Sequence, residues 1–203
     1  MSGTRVKTPD FDKISRGTKA FSAATESRYP GSFPLGLLDW IRDMGWWGER
    51  RIHLCAGGVI DPPADKVDYR PELPEELSGV GRRTTKSTAN IIADARETGL
   101  PSESYDWAMV DPPYSSELAE SLYDSKEMFS GIDKFAKEAY RLIKPGGYCI
   151  TFSYAIPNRP AKDAEMVAMW GIYQIPIVRH MTCLCVFKKP GFRNEMGLRR
   201  WTP

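Results

Sequence analysis

From Phe33 onward the chain alternates short apolar runs with turn residues, and both helical and strand periodicities can be read in it. Leu37, Leu38 and Ile41 recur at helical spacing through FPLGLLDWIRDMGWW, and Pro34 suits a first helical turn, so the spacing predicts a helix over about 34–44. RIHLCA (51–56), KVDY (66–69), TANIIA (88–93), YDWAMV (105–110), GYCITFSY (147–154), GIYQIPIV (171–178) and TCLCVFKK (182–189) read as seven short strands. Several are apolar at consecutive positions, as buried parallel strands are. Helical patterns fall between them at 116–124 and 131–143, the latter with Ile132, Phe135, Ala139, Leu142 and Ile143 on one face. Lys144-Pro145-Gly146-Gly147 stops that helix before the next strand. Arg179-His180-Met181 is too short a link for a parallel crossover, so the last two strands are expected to form an antiparallel hairpin. The pattern predicts an α/β fold: one mostly parallel seven-stranded sheet with a C-terminal antiparallel hairpin and helices on both faces.

Composition adds boundaries. Residues 1–28 are rich in Ser, Thr, Lys and Arg without a sustained period and read as a basic, flexible, extended arm; 29–189 form the folded domain, and 190–203 a basic tail. At 203 residues and 41% hydrophobic content, one domain can bury a core without disulfides or a structural metal. Cys55, Cys149, Cys183 and Cys185 lie in apolar runs without CxxC spacing and the chain has two histidines, so no metal site is expected. No apolar stretch reaches membrane-spanning length and no signal-peptide core is present, which predicts a cytoplasmic protein. The net charge of +2 divides into ends that sum to +7 around a body of −5. Such a division suits an anionic partner, nucleic acid foremost, and equally suits solubilising ends.

The sharpest motif is Asp111-Pro112-Pro113-Tyr114, directly after WAMV and so at the carboxyl end of a central strand, where open α/β sheets bind ligands. Two prolines fix both φ angles and leave a rigid turn. An aspartate and a proline carbonyl held together can accept both hydrogens of an exocyclic amine, while a tyrosine offers a face to a planar ring. These residues resemble the DPPY signature of class I, Rossmann-like methyltransferases that use S-adenosylmethionine to methylate adenine N6 or cytosine N4. The resemblance implies Asp111, Pro112, Pro113 and Tyr114 as catalytic residues, with Asp111 also beside the cofactor.

Other segments extend the resemblance over 29–189. Leu54-Cys55-Ala56-Gly57-Gly58 ends the first strand of the domain in small residues and is similar to the FxGxG cofactor loop, with Cys55 in the usual aromatic position. Asp68 ends the next strand, where the family keeps an acid for the cofactor ribose hydroxyls. Asp94-Ala95 stands where a carboxylate and a backbone N–H meet the cofactor adenine. Tyr29, Gly31, Ser32 and Phe33 belong to YPGSFP, which resembles the HPAxFP element over the methionine end of the cofactor, with tyrosine replacing histidine. Only VIDPPAD separates Gly58 from Lys66, so the first crossover is expected to be a bare loop instead of a helix.

The resemblance implies that Asp111 and the Pro112 carbonyl orient an amine toward the cofactor methyl, with the base extruded against Tyr114. Adenine N6 in DNA is the expected acceptor. RNA base methylation, or a catalytically weak methyltransferase-like subunit acting in binding or assembly, are the alternatives. No target-recognition domain is inserted, so recognition falls to 115–131, to Arg82, Arg83 and Lys86, and to the basic ends, or to a homodimer or partner subunit.

Overall fold

The computed structural model describes residues 13–22, 24, 25, 27, 29, 32–73, 85–123, 126, 130–175 and 181–191. Gly31, Arg82, Arg83 and the tail from 192 lie outside them. The elements in chain order are β1 (Ser15–Ser22), α1 (Leu37–Asp43), β2 (Arg51–Leu54), β3 (Asp65–Asp68), β4 (Ile91–Ile92), β5 (Tyr105–Val110), α2 (Ser116–Tyr123), α3 (Ile132–Leu142), β6 (Ile143–Ser153), β7 (Glu165–Ile175) and β8 (Thr182–Lys188). The strands form one sheet in the order β1-β7-β8-β6-β5-β2-β3-β4. Every neighbouring pair is parallel except those made by β8, which runs antiparallel between β6 and β7. Counted from β2, the first five strands lie in the order 3-2-1-4-5 of a dinucleotide-binding sheet. The strand order reverses between β2 and β5, and the crevice outside their carboxyl ends is the switch point.

The sheet has eight strands, not the seven expected, and the addition comes from within the basic arm. β1 pairs with β7 from Ser15 opposite Ala168 to Ser22 opposite Ile175. Its sequence SRGTKAFS carries little hydrophobic signal because most of it faces solvent, and backbone pairing holds it in place. Gly17 admits the Trp170 indole, which a Cβ there would meet at 2.8 Å, and Trp170 Nε1 donates to Ser15 Oγ at 3.2 Å.

Other elements differ from the expected bounds. β6 starts at Ile143, directly after α3, so that Lys144–Gly147 lie within a strand; the register with β5 shifts there between Tyr105 and Trp107. Gly147 allows this, since a Cβ would stand 2.7 Å from the Asp106 carbonyl oxygen. β7 begins six residues before the expected 171, and β4 is reduced to Ile91–Ile92. The first crossover, 55–64, contains turns and no helix. Its backbone is fastened to the sheet by Ala56 N–H donating to the Val67 carbonyl at 3.0 Å.

Alternate residues of β5 enter two cores. Trp107 and Met109 pack with Leu37, Leu38 and Ile41 of α1 and with Phe33. Ala108 and Val110 pack with Ile132, Phe135, Ala139 and Leu142 of α3. Each of these large apolar side chains contributes about 1.5–3 kcal/mol by leaving water, so β5 is clamped and its carboxyl end is a rigid base for the residues that follow. No described helix is long and apolar enough to cross a membrane.

Candidate active site

Because β2, β3, β4 and β5 are parallel, their carboxyl ends open on one edge, and Cys55, Asp68, Asp94 and Asp111 emerge there. Burial pushes the Cys55 thiol well up, and the charges of Asp68, Asp111 and Asp94 push it further, so the three carboxylates share one neighbourhood around it. Cys55 itself adopts a left-handed φ of 57° and so turns the chain sharply out of β2.

Asp111 is anchored through its N–H to the Leu54 carbonyl at 3.3 Å. Its Oδ1 is buried and has no hydrogen-bond partner among the described residues. Burial raises its pKa well above the carboxylate range, opposed by the Tyr114 hydroxyl within hydrogen-bonding reach. Pro112 is buried and Pro113 half-buried, so the turn is fixed from below. The Tyr114 ring meets Tyr154 at 4.3 Å between centroids, inclined by 41°.

Asp68 is raised by burial, which outweighs bonds from the backbone N–H groups of Gly57 and Tyr69, each at 2.7 Å. The Arg70 backbone N–H is a third donor to the same carboxylate, which leaves it one accepting position of about four. Asp94 is different. Arg96 donates to both its oxygens, from Nε at 2.9 and 3.0 Å and Nη2 at 2.6 Å, and holds its pKa down. The structure thus places Asp94 at the expected edge but already engaged by a guanidinium. Ala95 is buried in the core beside it.

Ser27, Tyr29 and Ser32 lie against Gly58 at the same edge. Leu35 N–H donates to the Ala24 carbonyl at 2.8 Å and Thr25 bridges Pro34, closing a narrow turn. Ser32 is buried, bonded to Ser27 Oγ and donating to the Tyr29 carbonyl, and Phe33 packs in the core against Phe152 and His53. Tyr29 lies on the glycine loop: a Cβ on Gly57 would meet its ring at 2.8 Å, and one on Gly58 would meet its Cβ at 2.4 Å. What the two glycines admit here is this aromatic side chain. Leu54 and Ala56 are buried beneath the loop.

Two residues absent from the sequence reading join the site. Tyr123, at the end of α2, feels Asp111, Tyr29, Asp68 and Cys55 in turn, after burial, all of which raise its pKa. It ends the helix that follows the DPPY turn. Tyr154 comes from the carboxyl end of β6, whose pairing with β5 sets it beside Tyr114. An aromatic residue ending a strand next to DPPY is the signal that could have marked it. Lys86 is exposed on the bridge to Glu72, next to Ser87, whose hydroxyl donates to the Gly57 carbonyl at 2.9 Å. No cluster of metal-ligating residues occurs among the described residues.

No family model matches this chain, and no curated protein does. Among solved structures, the crystal structure of TrmN from Thermus thermophilus is similar with a TM-score of 0.43 and 17% identity, over 75% of this chain and 47% of that one. The alphavirus P23pro-zbd structure is similar with a TM-score of 0.35 and 12% identity, over 94% of this chain and 26% of that one. The chain spans less than half the length of either. Likenesses this distant decide neither fold nor activity.

Proposed function

We propose that the protein transfers a methyl group from S-adenosylmethionine to an exocyclic amine of a nucleobase, adenine N6 in DNA foremost. The observation that carries this reading is the buried Asp111 Oδ1 without a partner, at the switch point and beside a tyrosine ring. A carboxylate oxygen held without a donor is costly, and an amine N–H entering the site relieves that cost. The residues present fit the cofactor at two points and depart from it at one. Asp68 keeps an accepting position toward the ribose hydroxyls, and the Cys55–Gly58 turn stands at the same edge. Asp94 is engaged by Arg96, so the cofactor adenine would be held by other contacts.

When bound, S-adenosylmethionine supplies a methyl on a sulfonium leaving group. The chain's own part is orientation: Asp111 accepts one amine hydrogen and the Pro112 carbonyl the other, which turns the nitrogen lone pair away from its ring. Tyr114 fixes the plane of the base. The small size of the domain suits recognition through Lys86, Arg82, Arg83 and the basic ends, or through a second subunit. Tyr29 on the glycine loop and the Asp94–Arg96 pair favour one second reading, a methyltransferase-like binding or assembly subunit.

The test is transfer of label from tritiated cofactor to unmethylated DNA and, separately, RNA. Label in DNA adenine, reduced roughly 100-fold by Asp111→Ala, is the expected result. Label in RNA alone reassigns the substrate, and cofactor binding without transfer to either supports the assembly reading.

A further inference from the structure

Asp94 follows β4 in a segment that is fixed on both sides. Ala93 N–H donates to the Asp68 carbonyl at 3.0 Å, which ties the end of β4 to the end of β3. Thr98 donates from its backbone N and from Oγ1 to Glu138 Oε1 of α3, at 2.8 and 2.6 Å, and Arg141 holds Glu138 in turn. Between these anchors the chain turns on itself: Glu97 N–H donates to the Asp94 carbonyl at 3.0 Å, and Arg96 N–H to Asp94 Oδ1 at 2.8 Å. That turn sets the Arg96 guanidinium on the carboxylate two residues before it. Arg96 Nε lies 2.9 Å from Oδ1 and 3.0 Å from Oδ2, and Nη2 lies 2.6 Å from Oδ2. These bonds hold the Asp94 pKa down, so the carboxyl is ionised at neutral pH.

An ionised carboxylate offers about four lone-pair positions. Here Oδ1 receives the Arg96 backbone N–H and Nε, and Oδ2 receives Nε and Nη2, so both oxygens are fully engaged by one residue. An adenine amino group brings a single neutral N–H. It would have to displace part of a charged fork whose bonds are roughly twice as strong as neutral ones. The guanidinium also cancels the negative charge that would repel a carbonyl in the same place. We propose that Arg96 sets the purine specificity of the cofactor site: by occupying Asp94 it leaves the exocyclic amine unread, and the site takes purine nucleoside thioethers that carry an amine or a carbonyl there alike. The inference rests on the methyl-transfer reading and deepens it, since it assigns a specificity role to a residue outside the motifs that carry that reading. Arg96 acts through Asp94 and is not a catalytic residue.

The test is calorimetric titration of the full chain with S-adenosylhomocysteine and with S-inosylhomocysteine, the same thioether with a carbonyl in place of the amine. It reads binding without turnover. Wild type is expected to bind the two within about threefold of each other, well inside the tenfold that one hydrogen bond to a charged group confers. Arg96→Ala opens the carboxylate to the amine, and its preference for the adenosyl ligand is expected to reach about 10-fold or more. Arg96→Gln, which keeps the side-chain bulk without the charge, is expected to shift the ratio in the same direction and carries the test if the alanine variant folds poorly. Asp94→Ala combined with Arg96→Ala is expected to remove the preference again. Each ratio is taken within one protein, so a general loss of affinity cancels from it. A wild type that already prefers the adenosyl ligand about 10-fold, and loses that preference in Asp94→Ala, overturns the inference and leaves the methyl-transfer reading intact. A ratio unchanged from wild type in both Arg96 variants also overturns it. A wild type that binds neither ligand overturns the methyl-transfer reading and this inference with it.

Discussion

The Asp111 carboxyl is held where solvent does not reach its Oδ1, and burial raises its pKa, with only the Tyr114 hydroxyl acting the other way. A folded-state pKa above the unfolded value means that the folded chain retains a proton that the unfolded chain has already released. Stability from this group is therefore full below the unfolded pKa and is lost as pH rises through the folded one. Asp111→Asn removes the charge and keeps the shape. At neutral pH it is expected to melt at a temperature equal to or above that of wild type while losing methyl transfer, and the difference in melting temperature narrows as the pH is lowered. A calorimetric pH series checks this, and an Asn variant that is less stable at every pH would show that the carboxylate is satisfied in the folded state. Gly57 makes a separate point at the same scale: its φ of 48° and the ring of Tyr29 against it leave no room for a side chain.

The first crossover shows what an element lacking a helix needs instead. Asp61, in the middle of the bare loop, accepts from Arg51 Nε and Nη2 at 2.9 and 2.8 Å and meets His53 Nε2 at 2.9 Å. All three residues are buried. Burial opposes the Asp61 charge, but the His53 and Arg51 bonds outweigh it and hold the pKa far below the usual range, while burial lowers the His53 pKa against the pull of Asp61. The loop is thus pinned to β2 one residue before the site begins at Leu54. Asp61→Ala leaves the Arg51 guanidinium buried without its counter-charge and is expected to lower unfolding free energy by about 3–5 kcal/mol in urea titration. A change below about 1 kcal/mol would mean that water replaces the carboxylate. The bare loop was legible from seven residues between Gly58 and Lys66, and α1, α3 and β5 from apolar positions that the cores do bury. β1 was not, because exposed residues leave no periodicity. Tyr123 was not, since only packing across the fold sets it near Asp111, whereas Tyr154 directly follows a strand and Arg96 stands two residues after Asp94, and their contacts show the role that those positions allow.

At the scale of the whole molecule, the pairing of β1 changes what the basic N-terminus can do. The strand runs parallel to β7, so Ser22 ends at the same edge as the site strands, where Tyr29 lies on the glycine loop. Arg16 and Lys19 are held by the sheet at fixed positions, exposed along its outer strand. Two roles fit charges there: contact with the phosphates of a nucleic acid bound across the edge, or protection of an open strand edge from pairing with another chain. The roles separate by salt. If both side chains meet phosphates, Arg16→Ala/Lys19→Ala is expected to make the dependence of log Kd on log salt shallower by about 1.5, close to twice the single-contact slope of 0.7–0.9. The variant should remain monodisperse in that case. If they guard the edge, the slope is unchanged and the variant associates with itself on sedimentation, which would move nucleic-acid recognition to the opposite side of the sheet, around Lys86 and the β3–β4 connection.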